Sequence, residues 1–426
     1  MAQTKPKAAQ FYGVSGDGTA GQVLISDGNG GMTWGANTEN STVSWATPTG
    51  QSLTYTQPTP QSSSVAPGSA FPTTTFTATK SGEVIGGTAT IAGLPTGITA
   101  TQSLSGTGAD NVLTVTLSGV FPSTDSLNTA LTLSGLTIVL PLTVDYLVVA
   151  GGGGAGYYAG AGGGGGGLRT SYTNSSSLNG HNETALTLSV ATNYTVTIGG
   201  GGGSRPASVG SGANYGDDGN NSTFSTITST GGGGGGGGTG AQNGRTGGCG
   251  GGGGRYNSGT ATGGTVVTSP VTQGYPGGGG NTNTNGAGGG AGAAGIDNNN
   301  TGGAGLAVNI LNATNSSSAS VGQVSGSNTY YAGGGGGYSN GSGGIGGGGT
   351  ATGSASATGG LPNTGGGAGG DNGAQNKGGG SGLVILRYPS SYTVSGLTEA
   401  TGSPFTEGTS KVSVFITSGT GNIQFN

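Results

Sequence analysis

Hydrophobic residues alternate with Ser and Thr across the first third of the chain. The period is two in Val112-Leu113-Thr114-Val115-Thr116-Leu117 and in Leu131-Thr132-Leu133, the spacing of a strand with one face buried. Further strands are expected over 42–45, 53–56, 74–79, 89–92 and 136–140. Pro and Gly punctuate them at Pro67-Gly68, Ser81-Gly82 and Leu94-Pro95-Thr96-Gly97. Short strands at regular spacing between turn signals predict a β-sandwich for residues 41–145. Upstream, two apolar stretches flank Asp27-Gly28-Asn29-Gly30-Gly31, and Asp-Gly and Asn-Gly supply the positive φ angles of a tight hairpin turn. The fold class is therefore all-β with little or no α-helix, beginning with a β-hairpin.

The pattern then changes. Tyr146-Leu147-Val148-Val149-Ala150 and Leu383-Val384-Ile385-Leu386-Arg387-Tyr388 are continuous apolar strands. Between them, Gly151 to Gly382 hold 83 of the chain's 107 glycines. Pure runs occupy 151–154, 162–167, 199–203, 231–238, 250–254, 277–280, 333–337, 346–349 and 378–380. Ordering glycine costs roughly 0.5–1 kcal/mol per residue more than ordering Ala. For the whole block that sums to tens of kcal/mol, with no side-chain core inside the runs to offset it. One ordered solution exists. Glycine runs can adopt the extended, three-residue-per-turn polyproline II helix, which has no internal hydrogen bonds and, without side chains, packs laterally. Each net hydrogen bond contributes roughly 0.5–1.5 kcal/mol, so nearly all of them must form between neighbours.

Apolar inserts interrupt the block. Leu186, Leu188 and Val190 with Tyr194, Val196 and Ile198 predict a hairpin packed on one end. Leu306, Val308, Ile310 and Leu311 mark a second insert. After the block, 411–417 and 422–425 read as a terminal hairpin. The domains are thus 1–40, 41–145, 146–390 and a C-terminal hairpin cap over 391–426.

Charge narrows the chemistry. Only 6% of residues are charged, and ten Lys and Arg are spread along the chain. That leaves no basic patch for nucleic acid. The one cysteine, Cys249, forms no internal disulfide framework and reads as an incidental small residue. His181 stands without a Cys or carboxylate cluster and reads as a loop residue, so no metal or cofactor is expected. Asp217-Asp218-Gly219-Asn220-Asn221 lacks the spacing of a calcium loop and reads as a polar turn. No glycine run ends in the Gly-Lys-Ser/Thr of a phosphate loop. A paired-carboxylate glycosidase site is disfavoured by 14 acids in 426 residues. No enzyme activity is expected. The first ten residues contain no apolar segment of a signal peptide.

The frames Tyr-Leu-Val-Val-Ala-Gly-Gly-Gly-Gly at 146–154 and Gly-Gly-Gly-Ser-Gly-Leu-Val-Ile-Leu-Arg-Tyr-Pro at 378–389 resemble the glycine-rich domain of bacteriophage tail fibres and adhesins. Asn193–Gly200 and Gly274–Gly279 extend the likeness, which covers more than half the chain. The resemblance implies a polyglycine II sandwich whose loop tips contact a host-cell receptor, a glycan or outer-membrane protein. It also implies a virion location, extracellular after lysis, and an N-terminal region (its first 20 residues in particular) that holds another tail or baseplate protein. Residues 41–145 then serve as a stiff, loosely immunoglobulin-like spacer. Phage fibres are commonly homotrimers, and that expectation is extended here.

The loops are rich in Tyr, Ser, Gly and Asn, the set that dominates antibody paratopes. The receptor-binding candidates are Tyr157, Tyr158, Tyr215, Tyr256, Tyr275, Tyr330, Tyr331 and Tyr338. An equal reading is that these tyrosines cover the bundle edge. Arg169, Arg205, Arg245 and Arg255 are candidates for acidic sugars, or solvated charges. Three other classes stay open: a virion fibre or decoration protein without a receptor, an ice-binding bundle, and a disordered silk-like matrix.

Overall fold

A computed structural model describes residues 22–26, 32–36, 41–49, 53–59, 61–65, 69–106, 110–120, 127–139, 141–173, 183–203, 214–238, 242–255, 260–352, 357–370 and 377–426. The expected attachment residues 1–20, the turn at 27–31, Arg205, His181 and Tyr256 lie outside them. Strands dominate, and among the described residues only one short α-helix occurs, Ala313–Ser318. The all-β expectation holds. The chain divides into two compact units, Met1–Pro141 and Leu142–Asn426.

In the first unit, Gln22–Ser26 pairs antiparallel with Met32–Ala36, as the expected N-terminal hairpin requires. Thr54–Thr59, Ala70–Thr79, Val112–Val120 and Ile98–Ser105 form a four-stranded antiparallel sheet. Val84–Ala92 pairs with Thr132–Val139 across a bulge. Ser41–Trp45 lies between Ser62–Val65 and a parallel partner, Leu127–Thr129. Alternate residues of these sheets meet in one apolar core that includes Trp45, Phe76, Ile85, Leu117 and Leu133. Trp45 and Phe71 pack edge to face, 6.0 Å between centroids.

Two sheets anchor the second unit. The first runs Leu168–Thr170, Thr143–Val149, Leu383–Pro389, Ser410–Phe415 and Phe405–Glu407. The two framing strands of the glycine block are thus direct neighbours, with Leu147 opposite Ile385. The second sheet runs Ile227–Ser229, Ser222–Phe224, Asn193–Ile198, Gly419–Phe425 and Val394–Gly396. Tyr146, Val148, Val384, Leu386 and Phe415 of the first sheet pack with Val196, Phe224, Ile423 and Phe425 of the second. On the other face, Leu147, Val149, Ile385 and Val414 pack with Leu306, Val308, Ile310, Leu311 and Tyr331 of the 306–331 insert. A strand buried on both faces has no polar alternation, which explains the continuous apolar frames.

Two expected hairpins are absent. Ser410–Phe415 pairs with Leu383–Pro389, and Gly419–Phe425 with Asn193–Ile198, so the terminal strands join different sheets. Leu186–Thr187 pairs with Thr143–Val144 rather than with Asn193–Ile198.

The glycine runs form a lateral lattice. From the central run, 150–157, amides donate to the run 161–167 in antiparallel order: Ala150 to Gly167 (3.0 Å), Gly153 to Gly164 (2.8 Å) and Gly156 to Ala161 (3.0 Å). Gly151, Gly154 and Tyr157 donate to Asn220, Asp217 and Asn214, at 3.0, 2.8 and 2.9 Å. Gly152 donates to Gly380 at 3.0 Å. In return, Gly232, Gly235 and Gly238 donate to Gly151, Gly154 and Tyr157, while Gly202 donates to Gly152 and Ala368 to Gly153. Six neighbouring segments therefore surround one run, and every third amide addresses the same neighbour. That period is the polyproline II period.

Side chains are excluded by contact. A Cβ on Gly153 would sit 2.2 Å from the Gly233 carbonyl oxygen, and one on Gly154 2.1 Å from that of Gly203. The side chains admitted inside runs, at Ala155, Ala161, Cys249, Ala287 and Ala368, are no larger than a thiomethyl and fully buried.

Candidate functional site

The strand Thr143–Val149 feeds directly into the central run, and the next run returns to the strand Leu168–Thr170. The reversal between them, Tyr157 to Gly160, therefore lies at the bundle end remote from the sheets. Main-chain bonds identify what else reaches that end. Tyr157 N–H donates to Asn214 O at 2.9 Å, Gly238 N–H to Tyr157 O at 3.0 Å, and Tyr338 N–H to Gly160 O at 3.2 Å. Tyr157, Tyr158, Tyr338 and Tyr215, the neighbour of Asn214, thus gather on one tip.

Both tip turns hold non-glycine residues at positive φ, as turns elsewhere in the chain also do at Ser225 and Asn298. Tyr158 has φ 54° and Ala159 φ 48°, and in the neighbouring turn Ser339 has φ 77° and Asn340 φ 66°. Glycine would take these left-handed angles at no steric cost; positive φ is uncommon elsewhere and worth attention for a bulky residue. In a chain so rich in glycine, the tip nevertheless carries side chains there. Tyr158 is 53% exposed, and its ring lies 6.3 Å from that of Tyr157, tilted by 40°. Asn300 Nδ2 donates to Ser339 O at 3.0 Å and braces the second turn.

The remaining tyrosines are elsewhere. Tyr331 is fully buried in the core over the framing sheet, and burial pushes its phenol well above the ordinary value. Tyr330 pairs through its backbone with Gln323 and Ala307 in a three-stranded sheet. Tyr275 precedes the run 277–280 and exchanges main-chain bonds with Gly250 and Gly290, close to Gly274, which abuts Cys249. For Tyr331, covering the bundle is the reading that fits; Tyr275 and Tyr330 are partly exposed, away from the tip turn at 157–160.

Two of the charged candidates, Arg169 and Arg245, are engaged in ion pairs. Arg169 forms a buried ion pair with Glu183, its Nε donating to Oε1 at 2.9 Å. Arg245 makes a bidentate pair with Asp218, at 2.8 and 2.6 Å. Burial pushes the Cys249 thiol up to about 12, so it stays protonated and fills space. Among the described residues no three His, Cys, Asp or Glu side chains come together as metal ligands. The 217–221 stretch is no simple turn. Its backbone serves the central run, and its Asp218 and Asn221 side chains accept from Gly234 and Gly231.

Residues 132–389 match the glycine-rich domain family, a span that contains every run of the lattice and both framing strands. The chain belongs to that family. Comparison with curated proteins and with solved structures gives no match. The glycine-rich domain match stops at Pro389, yet Ser410–Phe415 and Gly419–Phe425 complete both anchoring sheets. The folded body of this glycine-rich domain therefore extends to the C-terminal strand. Ser339 and Asn340 were not among the candidate residues; a polar Tyr-Ser-Asn-Gly step between two glycine runs is the signal that marks such a reversal.

Proposed function

We propose that the chain is a phage tail-fibre or adhesin subunit that binds a host-cell receptor, a surface glycan or outer-membrane protein, through the remote tip of its glycine lattice. The observation that carries this reading is Tyr158, a large amphipathic side chain kept at φ 54° and half in solvent where glycine would be the unstrained choice. Non-glycine residues held in sparsely populated backbone regions cluster at binding sites. Tyrosine supplies broad contact at low entropy cost, and Ser and Asn beside it supply adaptable hydrogen bonds. The lattice is a rigid mount, which lowers the ordering cost of binding. The N-terminal region serves as the attachment to other virion proteins, the 41–145 sandwich as a spacer, and the assembled fibre is a homotrimer. No chemistry on the receptor is involved.

Purified full-length chain is expected to compete with whole-virion adsorption to host cells. Tyr158→Ala is expected to weaken that competition about tenfold or more, as for a central aromatic contact, with stability changed by no more than roughly 0.5 kcal/mol. No competition by folded wild-type chain at saturating dose would sink the receptor-binding reading.

A further inference from the structure

The run 231–238 differs from the central run on one of its three faces. The amides of Gly232, Gly235 and Gly238 donate to the central run, and those of Gly233 and Gly236 donate to Cys249 and Gly252 of another. Among the described residues no run stands in front of the third face. There the amides of Gly231, Gly234 and Gly237 donate to side chains: Asn221 Oδ1 at 2.9 Å, Asp218 Oδ1 at 2.9 Å and Gln242 Oε1 at 3.1 Å. The three caps follow the three-residue period of the lattice.

The geometry of the slot is that of a missing lattice member. One flank is the 216–219 segment, whose Gly216 and Gly219 amides donate to Gly235 and Gly232. The other is the 245–248 segment, whose Arg245 and Gly248 amides donate to Gly234 and Gly231. Asn221 and Asp218 reach in from the first flank and Gln242 from the second. The bidentate Arg245–Asp218 pair ties the two flanks together across the opening. A lattice edge is a template for another chain, as a sheet edge is, and inward-reaching charged side chains are one way that proteins blunt such edges.

We propose that the Asn221–Asp218–Gln242 row, locked by Arg245, is an edge stop: it occupies the position that a glycine run from a second copy of this chain would take, and so closes the lattice to lateral self-association. The row does with side-chain oxygens what a sixth neighbouring run would do with backbone carbonyls. The inference is independent of receptor binding.

The test is sedimentation of the full-length protein over a wide concentration range. The triple variant Asn221→Gly, Asp218→Gly, Gln242→Gly is expected to self-associate beyond the wild-type state, with its average mass rising at least twofold. Asp218→Asn, which keeps an acceptor of the same shape, is expected to sediment as wild type. A triple variant that keeps the wild-type circular dichroism and the wild-type mass at every concentration overturns the proposal, because water would then satisfy the freed amides. Should the triple variant lose its native spectrum, Asp218→Ala decides. Exchange of the Gly234 amide is expected to rise about tenfold in dilute protein and to fall back at high concentration as copies pair. Concentration-independent exchange in that folded variant overturns the proposal equally.

Discussion

The first unit and the glycine lattice solve the same problem with opposite materials. In residues 41–139 the core is made of side chains: Phe76, Leu113, Val115 and Leu117 from one sheet meet Trp45, Ile85 and Leu133, and the backbone ladders lie at the periphery. Among the glycine runs the core is made of peptide groups, and the central run is surrounded by six other segments at hydrogen-bonding distance. A side-chain core is sensitive to atoms removed. A backbone core is sensitive to atoms added, since there is nothing in it to remove.

The sharpest test of that contrast is Gly153→Val. Its Cβ would already lie 2.2 Å from the Gly233 carbonyl oxygen, which is held in place by neighbours on every side. Ordinary overpacking costs about 1–3 kcal/mol. Here no flexible group can give way, so the expected result is loss of the cooperative unfolding transition of residues 142–426, seen by calorimetry, with the first unit's transition retained. In the other material, Phe76→Ala should destabilise the first unit by about 3–5 kcal/mol, read from denaturant melts, and leave the lattice transition in place. Equal effects of the two substitutions on both transitions would break the comparison.

Alkaline pH separates the regions next. Burial raises the Tyr388 phenol from 10.0 to about 12, and burial also raises Tyr146 and Tyr331. A group whose folded value is raised contributes stability that is present below its unfolded value and lost as pH climbs through the folded one. The anchoring sheets of the second unit should therefore weaken between about pH 10 and pH 12, by on the order of 2–3 kcal/mol for Tyr388 alone, in urea melts followed across that range. The smallest expected effect is also the most discriminating. Gly200 lies at the lattice margin, where a Cβ would meet only Asn220 Nδ2 at 3.7 Å. Gly200→Ala should be neutral or stabilise by about 0.4–1 kcal/mol, through the unfolded chain. Placing a Cβ thus has opposite effects at Gly153 and at Gly200.

Much of this was legible from residue order. The apolar frames at 146–150 and 383–388 announced strands covered on both faces, and the need to satisfy glycine peptide groups announced lateral packing of the runs. Strand partners across long separations were not legible. Nothing local tells that Asn193–Ile198 selects Gly419–Phe425 over its own neighbour, because both choices satisfy the same period of two. The tyrosines illustrate a second limit. Whether a residue at a run end reaches the tip or the sheets depends on the direction of that run. Tyr158 and Tyr331 both border glycine runs, yet one is half in solvent and the other fully buried. The 217–221 stretch misled for a related reason: its polar residues form a lattice member, because their backbones, not their side chains, face the central run.

The three-residue repeat of the donors has a consequence for how such a chain can change over generations. Inserting or deleting one residue within a run would rotate everything beyond it by about a third of a turn and aim each later peptide at the wrong neighbour. Only changes in multiples of three keep phase. The reversals at the ends carry no such rule, so they are free to vary in length and composition. Natural variants should accordingly differ by whole triplets within runs and by any number between them.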